Sequence, residues 1–239
     1  MKKLRKALVI FNPTKPFARK LAEKVKRFIR SRGAEVVSNP KLADALIMVS
    51  GDGTILYNKD RYDLPIFAIG SRNSVICQSS TENWEKRLGR IIDSGFSTES
   101  RSMLTCEAGG KPIKDALNEI VIRSRDHRVI DIHLSIGGKR HEFYADGVLF
   151  TTPTGSTAYC YSCGGSILPK HSRKYEIVGI APYMRAFKPT TVRDSAVTMA
   201  STPSRTADLV FDGQFIHHIK PNAKIRIRKS RRAVRLVMV

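Results

Sequence analysis

A chain of 239 residues, 41% of them apolar, can bury one large core or two small ones and is too apolar to be disordered. No apolar run approaches the roughly 20 residues of a membrane span, and Ala7–Phe11 after the basic start is too short for a signal core, so the reading is a cytoplasmic protein with no membrane partner. Forty-two Lys and Arg against 21 Asp and Glu leave a net charge of +21, a balance that draws nucleotides, polyphosphate or, by weak, salt-sensitive and non-specific contacts, nucleic acid.

In chain order, Ala7–Phe11 is an apolar run stopped by Asn12-Pro13, a strand and a turn. Phe17, Leu21, Val25 and Phe28 recur at helical spacing among lysines and arginines and predict an amphipathic helix with a basic outer face, closed by Gly33. Ala34–Val37 reads as a strand. Ala45–Val49 and Leu64–Ile69 are continuous apolar runs, the mark of strands buried on both faces. Trp84, Leu88 and Ile91 mark a further helix ended by Gly95. Strands alternating with helices imply a parallel sheet.

After about residue 98 the pattern changes. Ile130, Ile132, Leu134 and Ile136 alternate with polar residues, Gly137-Gly138 makes a turn, and His141–Phe150 returns. Glu176–Ile180, Val192–Ala200, Ala207–Phe211, Ala223–Arg228 and Val234–Val239 continue as short strands. The expectation is an α/β nucleotide-binding domain over residues 1–98 and a mainly β domain over 99–239.

Three polar, glycine-rich segments carry chemistry. Ser50-Gly51-Asp52-Gly53-Thr54 follows a buried strand, where ligands of parallel sheets bind and glycines let the backbone approach phosphate; its Asp could accept a hydroxyl proton, hold a metal ion or cap a helix. Asn118-Glu119 interrupts an apolar stretch, so both residues need partners if buried; a hydroxyl-rich ligand or a strand edge would serve. Asp146-Gly147 and Thr151–Tyr159, running to Gly164-Gly165, pack hydroxyls and small residues that suit a loop wrapped around a polar ligand. Cys160 and Cys163 form a C-x-x-C pair with no second pair at zinc-ligand spacing, so packing is preferred over zinc or redox chemistry.

The order G-D-G-T, N-E, D-G-x-x-x-x-T-P-T-G-S-T-A-Y and D-G-Q, here Gly51–Thr54, Asn118-Glu119, Asp146–Tyr159 and Asp212–Gln214, resembles the NAD kinase family across most of the chain. The resemblance implies an α/β domain followed by a β-sandwich that binds NAD. The implied reaction moves a phosphoryl group from ATP or polyphosphate to the adenosine 2′-hydroxyl, with Mg²⁺ or another divalent cation as cofactor and a homodimer or homotetramer as working form. It makes Asp52 the catalytic base, with Gly51, Gly53 and Thr54 near phosphate. Asn118, Glu119 and Asp146 become NAD contacts, Thr157, Ala158, Tyr159 and Ser162 line the same pocket, and Ala181 and Gln214 are further pocket positions. Two departures stand out. Ser50 occupies the first of two glycine positions, and Gly70–Cys77 lacks the family's aromatic and glycines, with Arg72 as a substitute phosphate contact. The alternatives are a related G-D-G-T kinase with another acceptor, such as a lipid alcohol, and a catalytically weak nucleotide- or RNA-binding protein.

Overall fold

The computed structural model describes residues 2–239. The chain forms two compact units: residues up to Ser100 with Val234–Val239, and Arg101–Ala233. The last six residues therefore group with the first unit, where the sequence pattern had kept 99–239 together.

The first unit is built from β1 (Lys6–Phe11), α1 (Pro16–Ser31), β2 (Glu35–Val37), β3 (Ala45–Val49), α2 (Asp52–Asn58), β4 (Ile66–Gly70), β5 (Ser79–Ser80) and α3 (Trp84–Asp93). Its parallel sheet runs β2-β1-β3-β4, and β4 also takes β5 in parallel. Every residue of β3 and β4 is buried, as their unbroken apolar runs require. Strand order reverses between β1 and β3. Such a switch point opens a crevice at the carboxyl ends of the strands, and Ser50–Thr54 lies there. Three of the four expected α1 stripe positions are displaced by one residue, and Val25 is kept. Ala18, Ala22, Val25 and Ile29 face the core, while Phe17 is 49% exposed. Small alanines let the helix lie close to the sheet, and Phe28 instead packs edge-on against Trp84 of α3.

The second unit is antiparallel. Its elements are β6 (Ser97–Ala108, begun in the first unit), β7 (Lys111–Ala116), β8 (Glu119–Ser124), β9 (Ile130–Ile136), β10 (Lys139–Ala145), β11 (Gly147–Thr151), a single turn α4 (Tyr159–Ser162), β12 (Lys174–Ile180), β13 (Thr190–Arg193), β14 (Thr198–Ser201), β15 (Ala207–Phe211), β16 (Phe215–Ile219) and β17 (Ile225–Met238). One sheet runs β13-β12-β11-β8-β15-β16, and β10-β9-β14-β17 forms the other layer. Ile120, Ile122, Phe150 and Ile177 of one layer share a buried core with Ile132, Leu134, Phe143 and Ile227 of the other, a β-sandwich. Inside it the Tyr175 and Thr198 hydroxyls satisfy one another at 2.6 Å.

Two expected strands prove to be four. His141–Phe150 breaks at Asp146 into β10 and β11, and Val192–Ala200 breaks into β13 and β14, each pair divided between the layers. Ala223–Arg228 and Val234–Val239, expected apart, are the two ends of the single strand β17.

Candidate active site

The first unit's candidate residues lie where β3 turns into α2. Gly51 has φ 118° and ψ −176°, a conformation open only to glycine, and Asp52 is the first residue of the helix, not its cap. Its carboxylate reaches sideways to the loop after β4. The Val75 N–H donates to Oδ2 at 2.7 Å, and the Ile76 and Cys77 N–H groups donate to Oδ1 at 3.1 and 3.0 Å. Asp52 thereby organises the very loop that departs from the family pattern. A carboxylate offers about four acceptor positions; three are filled by these amides, and the Cys77 side chain also hydrogen-bonds the carboxylate. The Cys77 thiol beside it is pushed up by burial and then by the Asp52 charge, so it stays protonated. Arg72 projects from the same loop and pairs with Glu82 at 2.7 Å, both side chains more than half exposed. An exposed pair of this kind is worth little and does not hold Arg72 back from a phosphate. Gly53 is exposed in the first turn of α2, and Thr54 is buried behind it.

Ser50, the other departure, sits at φ 149° with its hydroxyl buried and without a hydrogen-bond partner. A non-glycine residue there costs about 1–3 kcal/mol, against about 0.4–1 kcal/mol that glycine adds through unfolded-state entropy. Ser50→Gly should therefore raise the melting temperature by a few degrees in a thermal scan; an unchanged or lower midpoint would mean that Ser50 carries no strain.

The second unit's own candidate residues are arranged at the start of β8. Asp212, buried in the turn between β15 and β16, clasps three consecutive amides as Asp52 does. The Leu117 N–H donates to Oδ2 at 3.0 Å, and Asn118 and Glu119 N–H donate to Oδ1 at 2.7 and 3.3 Å. From the other side, Thr152 Oγ1 donates to the Leu117 carbonyl at 2.5 Å and accepts from the Thr154 and Gly155 N–H groups, while Thr151 Oγ1 donates to the Asn118 carbonyl at 3.1 Å. A Cβ at Gly155 would collide with that carbonyl, which is why the T-P-T-G loop needs glycine there. The clamp fixes the Asn118-Glu119 backbone and leaves two side-chain acceptors, Asn118 Oδ1 and Glu119 Oε2, buried with no partner.

Burial, and then the nearby Asp212 charge, push Glu119 from its ordinary 4.5 up to about 7. Between those values the folded chain holds a proton that the unfolded chain has released, so stability falls as pH rises through that window and is level above it. Glu119→Gln should remove this fall, which is on the order of 3 kcal/mol. Melting curves at about pH 5 and about pH 8 check it: if wild type and variant lose the same number of degrees between them, Glu119 is not the group responsible.

The remaining candidates lie on the surface of the second unit. The Asp146 side chain is exposed, and its backbone ties β8 to β12 through Ser124 N–H to its carbonyl and its own N–H to the Ile180 carbonyl, both 3.0 Å. Thr157, Ala158, Tyr159 and Ser162 are exposed on and before α4, and Gln214 is exposed two residues beyond Asp212. Ser162 and Ala181, the latter at φ 46°, meet in one open cavity that Arg185 and Lys188 also line. Cys160, the buried residue of α4, packs against Val121, Leu149 and Val178, and its thiol donates to Glu176 Oε2 at 3.3 Å. Burial and then Glu176 hold that thiol protonated, and burial also pushes Cys163 up, which suits packing better than redox chemistry. Sequence reasoning missed Asp212 and Thr152 as the clamps, and Arg185 and Lys188. The D-G-Q and T-P-T-G motifs contained the first two; Arg185 and Lys188 sit in no motif.

Among the described residues no three His, Cys, Asp or Glu side chains form a cation cage. With three acceptor positions of Asp52 already taken, the donor set does not fit a protein-held divalent ion. Mg²⁺ is commonly carried by substrate phosphates with one or two carboxylates. No helix among the described residues is long and apolar enough to cross a membrane.

The family model for the ATP-NAD kinase C-terminal domain matches residues 117–239. An NAD kinase of Aromatoleum aromaticum is 32% identical over 206 residues, covering 82% of this chain and 69% of that protein. One from Methanosarcina barkeri is 32% identical over 203 residues, covering 82% and 74%. The crystal structure of an NAD kinase from Archaeoglobus fulgidus in complex with ATP aligns with a TM-score of 0.82 at 26% identity, over 97% of this chain and 92% of that one. Yeast NADH kinase complexed with NADH aligns with a TM-score of 0.86 over 99% and 84%, and at 18% identity is a likeness of fold alone.

Proposed function

The chain belongs to the NAD kinase family, and on that premise we propose that it transfers a phosphoryl group from ATP to the adenosine 2′-hydroxyl of NAD, giving NADP. One observation carries the reading for this chain: the buried, unpartnered acceptors Asn118 Oδ1 and Glu119 Oε2 held by the Asp212 and Thr152 clamps. Buried acceptors cost free energy until a donor reaches them, and ribose hydroxyls are donors of the right kind. Asp52 is the proposed base. Its carboxylate, exchanging the Cys77 thiol for the 2′-hydroxyl, takes the hydrogen bond of that hydroxyl and then its proton, as the hydroxyl oxygen bonds the γ-phosphorus and ADP leaves. Phosphoryl transfer asks a protein mainly for positioning and charge neutralisation. Gly51, Gly53, Thr54 and Arg72 are the candidates on the phosphate side. Asp146, Thr157, Ala158, Tyr159, Ser162, Ala181 and Gln214 are the candidates around the dinucleotide. A cytoplasmic homodimer or homotetramer is the form the family resemblance supports.

The test is purified protein with NAD, Mg²⁺ and a panel of ATP, other triphosphates and polyphosphate, followed for NADP. Formation of NADP with ATP supports the proposal. NADP formation from polyphosphate but not from ATP would correct the donor, and phosphorylation of a lipid or free nucleoside with NAD untouched would overturn the acceptor.

A further inference from the structure

The positive charge of this chain is unevenly neutralised. On β17 the basic run is largely paired: Arg226 and Arg228 with Glu107, Lys229 with Asp194, and Arg232 with Asp115. On α1 it is not. Lys20, Lys24, Arg27 and Arg30 are exposed and make no ion pair, and the helix's one acid, Glu23, bonds Lys26 at 2.7 Å.

The four cations share one solvent-facing side with a single acid, Glu23, whose carboxyl the Lys26, Arg30 and Arg27 charges hold below its ordinary range. At 100° per residue they fall on the side of the helix opposite Ala18, Ala22, Val25 and Ile29, which are fully buried. From Lys20 to Arg30 the stripe is about 15 Å long. Lys20 with Lys24, Lys24 with Arg27, and Arg27 with Arg30 are like-charge neighbours, each unfavourable by about 0.2–0.5 kcal/mol. The first turn holds no acid to complement the helix dipole. Glu23 offsets part of this repulsion, and the net positive charge left on this side is neutralised by a polyanion laid along it.

We infer that the outer face of α1 is a docking surface for the phosphodiester backbone of RNA, distinct from the residues assigned to NAD phosphorylation. Charge complementarity selects the partner. Double-stranded DNA presents one negative charge per about 1.7 Å of axis and an RNA duplex carries the same charge on each nucleotide, so several phosphates fall within the stripe, and two arginines can fork onto phosphate oxygens. An amphipathic membrane helix inserts an apolar face; that face of α1 is spent on the core. No base-reading geometry is involved, so binding is sequence-blind.

The test uses the full chain and a fluorescein-labelled duplex RNA of mixed sequence, read by anisotropy across a salt series. Lys20→Gln, Lys24→Gln, Arg27→Gln and Arg30→Gln are combined, since Gln keeps helix propensity. The control variant carries Lys139→Gln, Arg140→Gln, Lys220→Gln and Lys224→Gln, an equal charge loss on the second unit. The α1 variant should bind RNA at least about tenfold more weakly, its slope of log affinity against log salt should shrink by about 3–4, and NADP formation should be unchanged. The control should keep most of the wild-type affinity. Equal losses in the two variants, an unchanged slope, or no RNA binding by wild type would each overturn the inference, as would binding to phosphatidylserine vesicles that the α1 variant loses while RNA binding persists.

Discussion

Asp52→Asn should lower the rate of NADP formation by about 10²–10⁴, the usual worth of general-base assistance, while NAD affinity measured by calorimetry stays near wild type. An interaction used only in the transition state leaves that kinetic signature. The geometry also says what else the change disturbs. The Asn oxygen can keep the two bonds from Ile76 and Cys77, but its NH₂ would face the Val75 N–H, donor against donor. Val75 is 61% exposed, so water can take over that amide and the stability loss should stay within about 1 kcal/mol. The two roles of Asp52 therefore separate: a base loses turnover, a loop anchor loses melting temperature. An Asp52→Asn protein that makes NADP at the wild-type rate, whatever its midpoint, would remove Asp52 from the chemistry.

Asp212→Ala should produce the largest stability loss, on the order of 3–5 kcal/mol by urea denaturation. It strips the acceptor from the Leu117, Asn118 and Glu119 amides at a buried position, and each buried amide left unpaired costs about 1–3 kcal/mol. NAD binding should be lost with it, because the clamp sets where Asn118 and Glu119 present their side chains. Asp212→Asn gives a finer reading. Asn tolerates the φ of 51° at this position, keeps an oxygen for two of the amides, and removes the charge that helps push Glu119 up. Glu119 should then titrate lower, which a pH series of NAD binding would register. An Asp212→Ala protein that unfolds at the wild-type urea midpoint and binds NAD normally would show that the clamp holds nothing of consequence.

The two aspartates illustrate where sequence reading stops. Asp52 lies in a glycine-rich turn after an apolar strand, and position alone marks it as a functional candidate. That its carboxylate is occupied by amides 23 to 25 residues further on, as the hydrogen bonds show, is a tertiary fact with no local pattern. Asp212 reaches across more than 90 residues in the same way. A clamp of this kind is invisible to periodicity, because its partners are backbone N–H groups that every non-proline residue carries.

What the sequence determined by itself is what short-range physics sets. β3 and β15 have the residues their apolar patterns predicted, β9 follows its alternation from Ile130 to Ile136, and Gly33 and Gly95 end their helices at positive φ. Motif order determined the family. Tertiary structure alone decided which strand joins which layer. His141–Phe150 reads as one strand because alternation records only the two faces of a strand, not its neighbours, and the chain changes sheets at Asp146. It also decided which stripe of α1 is core, since Ala18 and Ala22 are too small to outrank Phe17 on a hydrophobic scale yet fit the sheet more closely. And it decided which acids are partnered and which acceptors are left waiting, because that depends on groups far apart in sequence being brought within hydrogen-bond distance.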